Sequence, residues 1–163
     1  MVTVILNEQQ INQKIKRIAF QILENNTHED QIFIAGIADN GYIFAQKLKI
    51  ELEINSKKKI NLCKVNIDKE KPLDSISTSI SIDLLADQSV VLVDDVLNSG
   101  KTLIYSVRHF LQVPLKKIKT AVLVNRNHKN YPVKSDFKGI SLSTSIEEHV
   151  EVSFNNKTEA ILY

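Results

Sequence analysis

The 163-residue chain holds a single cysteine, Cys63, so no intramolecular disulfide can form and a metal site made only of thiolates is excluded. Its four glycines are too few and too scattered to supply a GxGxxG dinucleotide fingerprint. No apolar run approaches the ~20 residues of a membrane span. The start, MVTVILNEQQ, lacks the basic segment and long apolar stretch of a signal peptide. A soluble cytoplasmic protein with no membrane partner is therefore expected. The formal charge of +2 is too small to announce a nucleic-acid binder on its own, although clustered charge can still act locally. With 43% hydrophobic and 25% charged residues, the composition is that of an ordinary globular chain, long enough for one domain spanning residues 1–163.

What is present is an alternation of strand and helix signals. After the short apolar run Val2–Leu6, Asn7 can cap a helix with Gln10 as its capping-box partner. Ile11, Ile15, Ile18, Ala19, Ile22 and Leu23 then form one helical stripe to about Asn25. Gln31–Ile37 reads as a buried strand, ending in a glycine-bearing turn, GIADNG, before a helix at about Tyr42–Ile54. Lys59–Ile67 is a further strand, and Asp68–Ile82 is polar and serine-rich without helical periodicity. Val90–Val93 suits a strand covered on both faces, with a helix at Lys101–Leu111 and another strand at Lys119–Val124. Val150–Phe154 and Glu159–Tyr163 suggest a closing hairpin. The fold class is α/β: a mainly parallel twisted sheet flanked by helices, with ligands expected beyond the carboxyl ends of the strands.

The segment VVLVDDVLNSGKTL, Val90–Leu103, carries the chemistry. A buried strand delivers the carboxylates Asp94 and Asp95, and Asn98, Ser99, Gly100, Lys101 and Thr102 follow at a helix start. Amides at a helix N-terminus, with the Ser99 and Thr102 hydroxyls, make an anion cradle, and Gly100 permits close backbone approach. Carboxylates accept hydrogen bonds from sugar hydroxyls or hold hydrated Mg²⁺. A ribose 5-phosphate meets both demands, its 2- and 3-hydroxyls on Asp94 and Asp95 and its phosphate at Asn98–Thr102. The GKT tail also suggests a nucleoside-triphosphate P-loop, but the opening glycine of GxxxxGK[ST] would fall on Asp95. A pair of helix-capping or surface carboxylates is the plainer alternative.

This segment resembles the phosphoribosyl pyrophosphate motif of type I phosphoribosyltransferases. With VILNEQQI, AGIADNG and AVLVNRNHKNYPVKSDFKG, the chain resembles the bifunctional pyrimidine operon attenuator and uracil phosphoribosyltransferase family over nearly its full length. The resemblance implies a small hood and a C-terminal β-hairpin on the α/β sheet. It also implies Mg²⁺ held by Asp94 and Asp95 through water, transfer of ribose 5-phosphate from phosphoribosyl pyrophosphate to a nucleobase such as uracil, and a homo-oligomer. Ala38, Asp39, Asn40 and Gly41 match the pyrophosphate loop, yet this loop has no Lys or Arg; a plain Asn-Gly turn is the alternative. The hood stretch NIDKEKPLDSISTSI lacks the family's aromatic and arginine residues, leaving Lys69 and Lys71 as electrostatic substitutes. Asn98 stands where purine-salvage relatives carry an aspartate, and an amide cannot be a general base. Asn125, Arg126 and His128 match a base-side and regulatory loop, with a solvated loop histidine as the alternative for His128. These departures leave open a regulator that senses phosphoribosyl pyrophosphate or a nucleotide without turnover. An RNA-binding attenuator is open as well, through Lys14, Lys16, Arg17, Lys129, Lys134 and Lys138.

Overall fold

The computed structural model describes residues 1–163. The first strand, β1 (Thr3–Leu6), leads into α1 (Glu8–Asn25) through a complete capping box. The Asn7 side chain accepts from the Gln10 amide, and the Gln10 side chain accepts from the Asn7 amide, each at 2.9 Å. Ile11, Ile15, Ile18, Ala19 and Ile22 are buried, as the apolar stripe predicts.

Next come β2 (Gln31–Ile37), α2 (Ala38–Asn55), β3 (Lys59–Asn66), the two-residue β4 (Ser77–Thr78) and a 3-10 turn at Ile82–Leu85. They are followed by β5 (Ser89–Leu97), α3 (Lys101–Phe110), β6 (Lys117–Arg126), β7 (Phe137–Leu142), β8 (Val150–Ser153) and β9 (Glu159–Leu162). The six-stranded sheet has the order β4-β3-β2-β5-β6-β7, parallel except for β4. The chain order runs outward in opposite directions from β2 and β5. Their carboxyl ends therefore flank a topological switch point, where an open parallel sheet leaves a crevice between diverging connections.

Two apolar clusters cover the two faces. One joins α1 and α2 to the sheet through residues such as Ile18, Phe44, Leu48, Val91 and Leu123. The other joins α3 and the 3-10 turn through Phe110, Leu103, Leu85, Leu92 and Val122. The expected hairpin forms from β8 and β9, and β1 pairs antiparallel with β9, giving a separate β1-β9-β8 sheet. Val2–Leu6, an isolated apolar run in the sequence, thus finds its partner at the far end of the chain.

Two local expectations change. Helix α2 starts at Ala38, four residues before the expected Tyr42, so GIADNG is a strand end and a first helical turn. The sharp reversal is made by Ala38 itself, at φ 50. The flanking glycines serve close packing: a Cβ on Gly36 would lie 2.5 Å from the Tyr42 Cα, and one on Gly41 2.9 Å from the Val93 carbonyl. Second, β5 runs on to Leu97, so Asp94 and Asp95 lie within the strand and not in the loop after it. Asp94 pairs in register with Val122 of β6, which continues just as far.

Candidate functional site

The acid pair is asymmetric. Because side chains alternate across a strand, Asp94 points into the protein and Asp95 is half exposed. Asp94 is 4% exposed, and its Oδ1 accepts the Asp95 amide at 2.9 Å with the Lys69 ammonium 3.5 Å away. Burial, followed by the neighbouring Asp95 charge, pushes its carboxyl well above the ordinary aspartate range, and Lys69 opposes that rise. Asp95 accepts from the Val96 amide at 2.9 Å and from Asn40 Nδ2 at 3.2 Å. The same Asn40 nitrogen donates to the Val152 carbonyl at 2.8 Å, tying the first turn of α2 to both the acid pair and β8.

The loop after β5 turns into α3 at Gly100, whose φ of 87 lies in the left-handed region. A Cβ there would be strained and would also meet Val133 Cγ1 at 2.5 Å. Ser99 is held from behind, its carbonyl accepting from the Asn130 and Tyr131 amides at 2.8 and 3.1 Å. Gly100 offers α3 no side-chain cap; the Lys101 amide donates to Ser99 Oγ at 3.3 Å, and the next amides of the first turn face an anion. Asn98, Ser99, Gly100, Lys101 and Thr102 line one cavity together with Asp94 and Lys69.

Ala38 and Asp39 border a neighbouring depression with Asn66, Ile67 and Asp68. Here too the helix N-terminus is uncapped, Ile37 being the cap residue. Asp39 is exposed and pairs with Lys64 at 3.5 Å, and the Lys64 ammonium also lies 5.5 Å from the Tyr42 ring centre. Gly41 lets this turn sit against β5, since a Cβ there would lie 3.1 Å from Asp94 Oδ1.

The residues expected on the base side, Asn125, Arg126 and His128, are knitted to the polar segment 141–148. Asn125 donates to Ser141 Oγ at 3.2 Å, and His128 Nε2 contacts the Thr144 carbonyl. Arg126, 6% exposed, donates through Nε to Thr144 Oγ1 at 3.0 Å and through Nη2 to the carbonyls of Ser145 and Glu148 at 3.2 and 2.5 Å. Its Nη1 reaches Asn98 Oδ1 at 2.9 Å, so the guanidinium joins the Asn98–Thr102 loop to residues 144–148. None of these three residues lines the cavity that holds Asp94. Sequence reasoning missed the partner segment STSIEE because its contacts are carbonyls and small hydroxyls, which leave no pattern in a polar loop.

Asp94 and Asp95 are the carboxylates that could hold a metal, and no group of three or more His, Cys, Asp or Glu forms a cage. Two carboxylates suit Mg²⁺, which keeps several waters and completes its shell with substrate phosphates. Elsewhere, Arg17 of α1 donates to the carbonyls of Lys138 and Gly139 at 3.0 and 2.6 Å, setting the α1 lysines beside β7. No helix is long and apolar enough to cross a membrane.

Residues 1–157 match the family model described as the phosphoribosyl transferase domain. The bifunctional protein PyrR of Staphylococcus aureus (strain bovine RF122 / ET3-1) is 32% identical over 158 residues, covering 91% of this chain and 90% of that protein. The PyrR of Macrococcus caseolyticus is 32% identical over 161 residues with the same coverage. Among solved structures, the hypoxanthine phosphoribosyltransferase of Trypanosoma cruzi superposes with a TM-score of 0.79 at 13% identity, covering 98% of this chain and 95% of that one. A hypoxanthine-guanine phosphoribosyltransferase from Bacillus anthracis gives 0.73 at 20% identity, covering 86% and 82%. At such identities these two likenesses speak for the fold alone. The switch-point cavity, the family match over nearly the whole chain and the full-length PyrR relatives agree, and the chain belongs to the phosphoribosyl transferase domain family.

Proposed function

We propose that the site transfers ribose 5-phosphate from phosphoribosyl pyrophosphate to a nucleobase, with uracil as the base. The observation that carries this reading is a single cavity lined together by a buried carboxylate, Asp94, the Asn98–Thr102 loop and the first turn of α3. Amides and hydroxyls of Ser99–Thr102 hold the 5-phosphate, and Asp94 and Asp95 accept hydrogen bonds from the sugar hydroxyls. The amides of Ala38–Gly41 hold the pyrophosphate. A base nitrogen forms a bond to the anomeric carbon as the bond from that carbon to pyrophosphate breaks, and the base proton leaves to water because Asn98 has no basic atom. Positive charge develops on the sugar, so positioning and nearby carboxylates supply most of the acceleration. Asp94 and Asp95 would hold Mg²⁺, which would supply positive charge against the pyrophosphate. The experiment is a direct assay with uracil and with purine bases, on wild type and Asp94→Asn. Nucleotide formation that Asp94→Asn reduces at least about a hundredfold is expected, the scale for losing one electrostatic partner at a reacting centre. Folded wild-type protein that forms no nucleotide from any base would remove the transferase reading. Binding without turnover, seen by calorimetry, would instead favour a sensor.

A second reading, RNA binding by a regulator, is supported by the Arg17 contact that sets the lysines of α1 beside β7. Counterion release makes such binding weaken with salt. Lys16→Glu combined with Lys134→Glu is expected to lower RNA affinity, and no binding by wild type at low salt would sink this reading.

A further inference from the structure

Two cations border the pyrophosphate side of the site, and the structure assigns them different duties. Lys64 is engaged with Asp39 and the Tyr42 ring. Lys69 lines the cavity of the phosphate loop, with its ammonium on Asp94. Its chain neighbour Asp68 borders the depression in front of Ala38 and Asp39. Lys69 is thus rooted between the two places where the phosphates of the donor would lie. Lys71 lines neither depression and makes no ion pair, so the two hood lysines, equivalent in the sequence, are not equivalent in the fold.

We propose that Lys69 is a ligand-binding residue: its ammonium neutralises Asp94 before substrate binds, then turns to the pyrophosphate oxygens once the ribose hydroxyls take over that carboxylate. The inference deepens the phosphoribosyl-transfer reading and rests on it. The Asp95 amide gives the buried Asp94 carboxylate one hydrogen bond, and its charge needs a cation or further donors beside that one at every stage. Sugar hydroxyls are such donors, and their arrival frees the lysine without leaving Asp94 alone. The pair is built to exchange. At 3.5 Å it is longer than the ~2.7–2.9 Å of a locked charge-assisted hydrogen bond, and the Lys69 side chain is 46% exposed. Its flexible four-carbon stem lets the ammonium swing without moving the backbone. That backbone is fixed nearby, because Asp68 Oδ1 accepts from the Glu70 and Lys71 amides at 2.9 and 3.3 Å. The destination needs a cation, since residues 37–41 contain none and pyrophosphate carries several negative charges.

Calorimetry with inorganic pyrophosphate and Mg²⁺, and separately with phosphoribosyl pyrophosphate and Mg²⁺, tests this on wild type, Lys69→Met, Lys69→Arg and Lys71→Met. Lys69→Met is expected to weaken pyrophosphate binding about tenfold or more, the scale for a hydrogen bond to a charged group. Lys69→Arg should keep most of the affinity, and Lys71→Met should change it by less than about twofold, as for an exposed charge. In the transfer assay KM for phosphoribosyl pyrophosphate should rise in Lys69→Met while KM for the base stays put. Unchanged pyrophosphate affinity in Lys69→Met, or an equal loss in Lys71→Met, would overturn the assignment while leaving the transferase reading intact. Wild type that binds neither probe would instead overturn that reading, and this inference with it.

Discussion

His109 shows how much a single ring nitrogen can fix. Gln112 Nε2 lies 3.0 Å from both the His109 carbonyl and the ring Nδ1. A carbonyl only accepts, so that Gln112 atom is a donor and Nδ1 must accept, which leaves the proton on Nε2. Nε2 is buried without a partner, and burial holds the ring's pKa below the ordinary histidine value. Protonating Nδ1 would set two donors against each other and charge a partly desolvated ring. The sign follows. A depressed folded-state pKa gives stability that is present above the unfolded value and is lost as pH falls through the folded one. On lowering pH from about 7 to about 5, where histidine titrates, the wild-type Tm should fall more steeply than that of His109→Leu. Parallel Tm curves would show that this ring does not titrate with unfolding. At the same scale the candidate acid pair is legible in the sequence, because VVLVDD joins a buried apolar run to two carboxylates. The inequality of its two members is not, since which of two adjacent side chains faces inward depends on the sheet and not on the residues themselves.

Elements in this fold are joined by side chains that reach carbonyls. Arg126 at the end of β6 holds Asn98, Thr144, Ser145 and Glu148 in one network, and Arg17 performs a smaller version of this between α1 and β7. The guanidinium carries five donors in a fixed planar fork, against three on the point charge of an ammonium. Arg126→Ala is therefore expected to cost roughly 3 kcal/mol, the scale for stripping donors from buried acceptors. Arg126→Lys should recover only part of this. Denaturant unfolding measures both, and a cost under about 0.5 kcal/mol, typical of a surface substitution, would show the network to be slack. The helices themselves were readable: Asn7 and Gln10 announce α1, and the isoleucine spacing gives its buried face. The start of α2 was not, because a strand that continues through Ala38 at positive φ into a helix leaves only a turn-like GIADNG in the sequence.

Across the whole molecule, the two ends of the chain meet. β9 pairs with both β1 and β8, and the Val152 carbonyl of β8 receives Asn40, which also holds Asp95. Removing Glu159–Tyr163 should leave β1 without a partner and expose Val152, lowering Tm and weakening phosphoribosyl pyrophosphate binding together. A truncated protein with lowered Tm but wild-type affinity would separate the terminal sheet from the site. The sequence by itself determined the α/β class, the terminal hairpin and the strand–acid–glycine–helix order of the candidate site, because hydrophobic period, capping chemistry and turn residues are properties of neighbouring residues. Only the tertiary structure decided that β1 closes on β9, that Asp94 is the buried acid of the pair, that Lys69 and not Lys71 faces it, and that Arg126 binds Asn98. Each of these joins residues far apart in the chain or depends on which face is covered, and burial and long-range pairing are set by the packing of the whole fold.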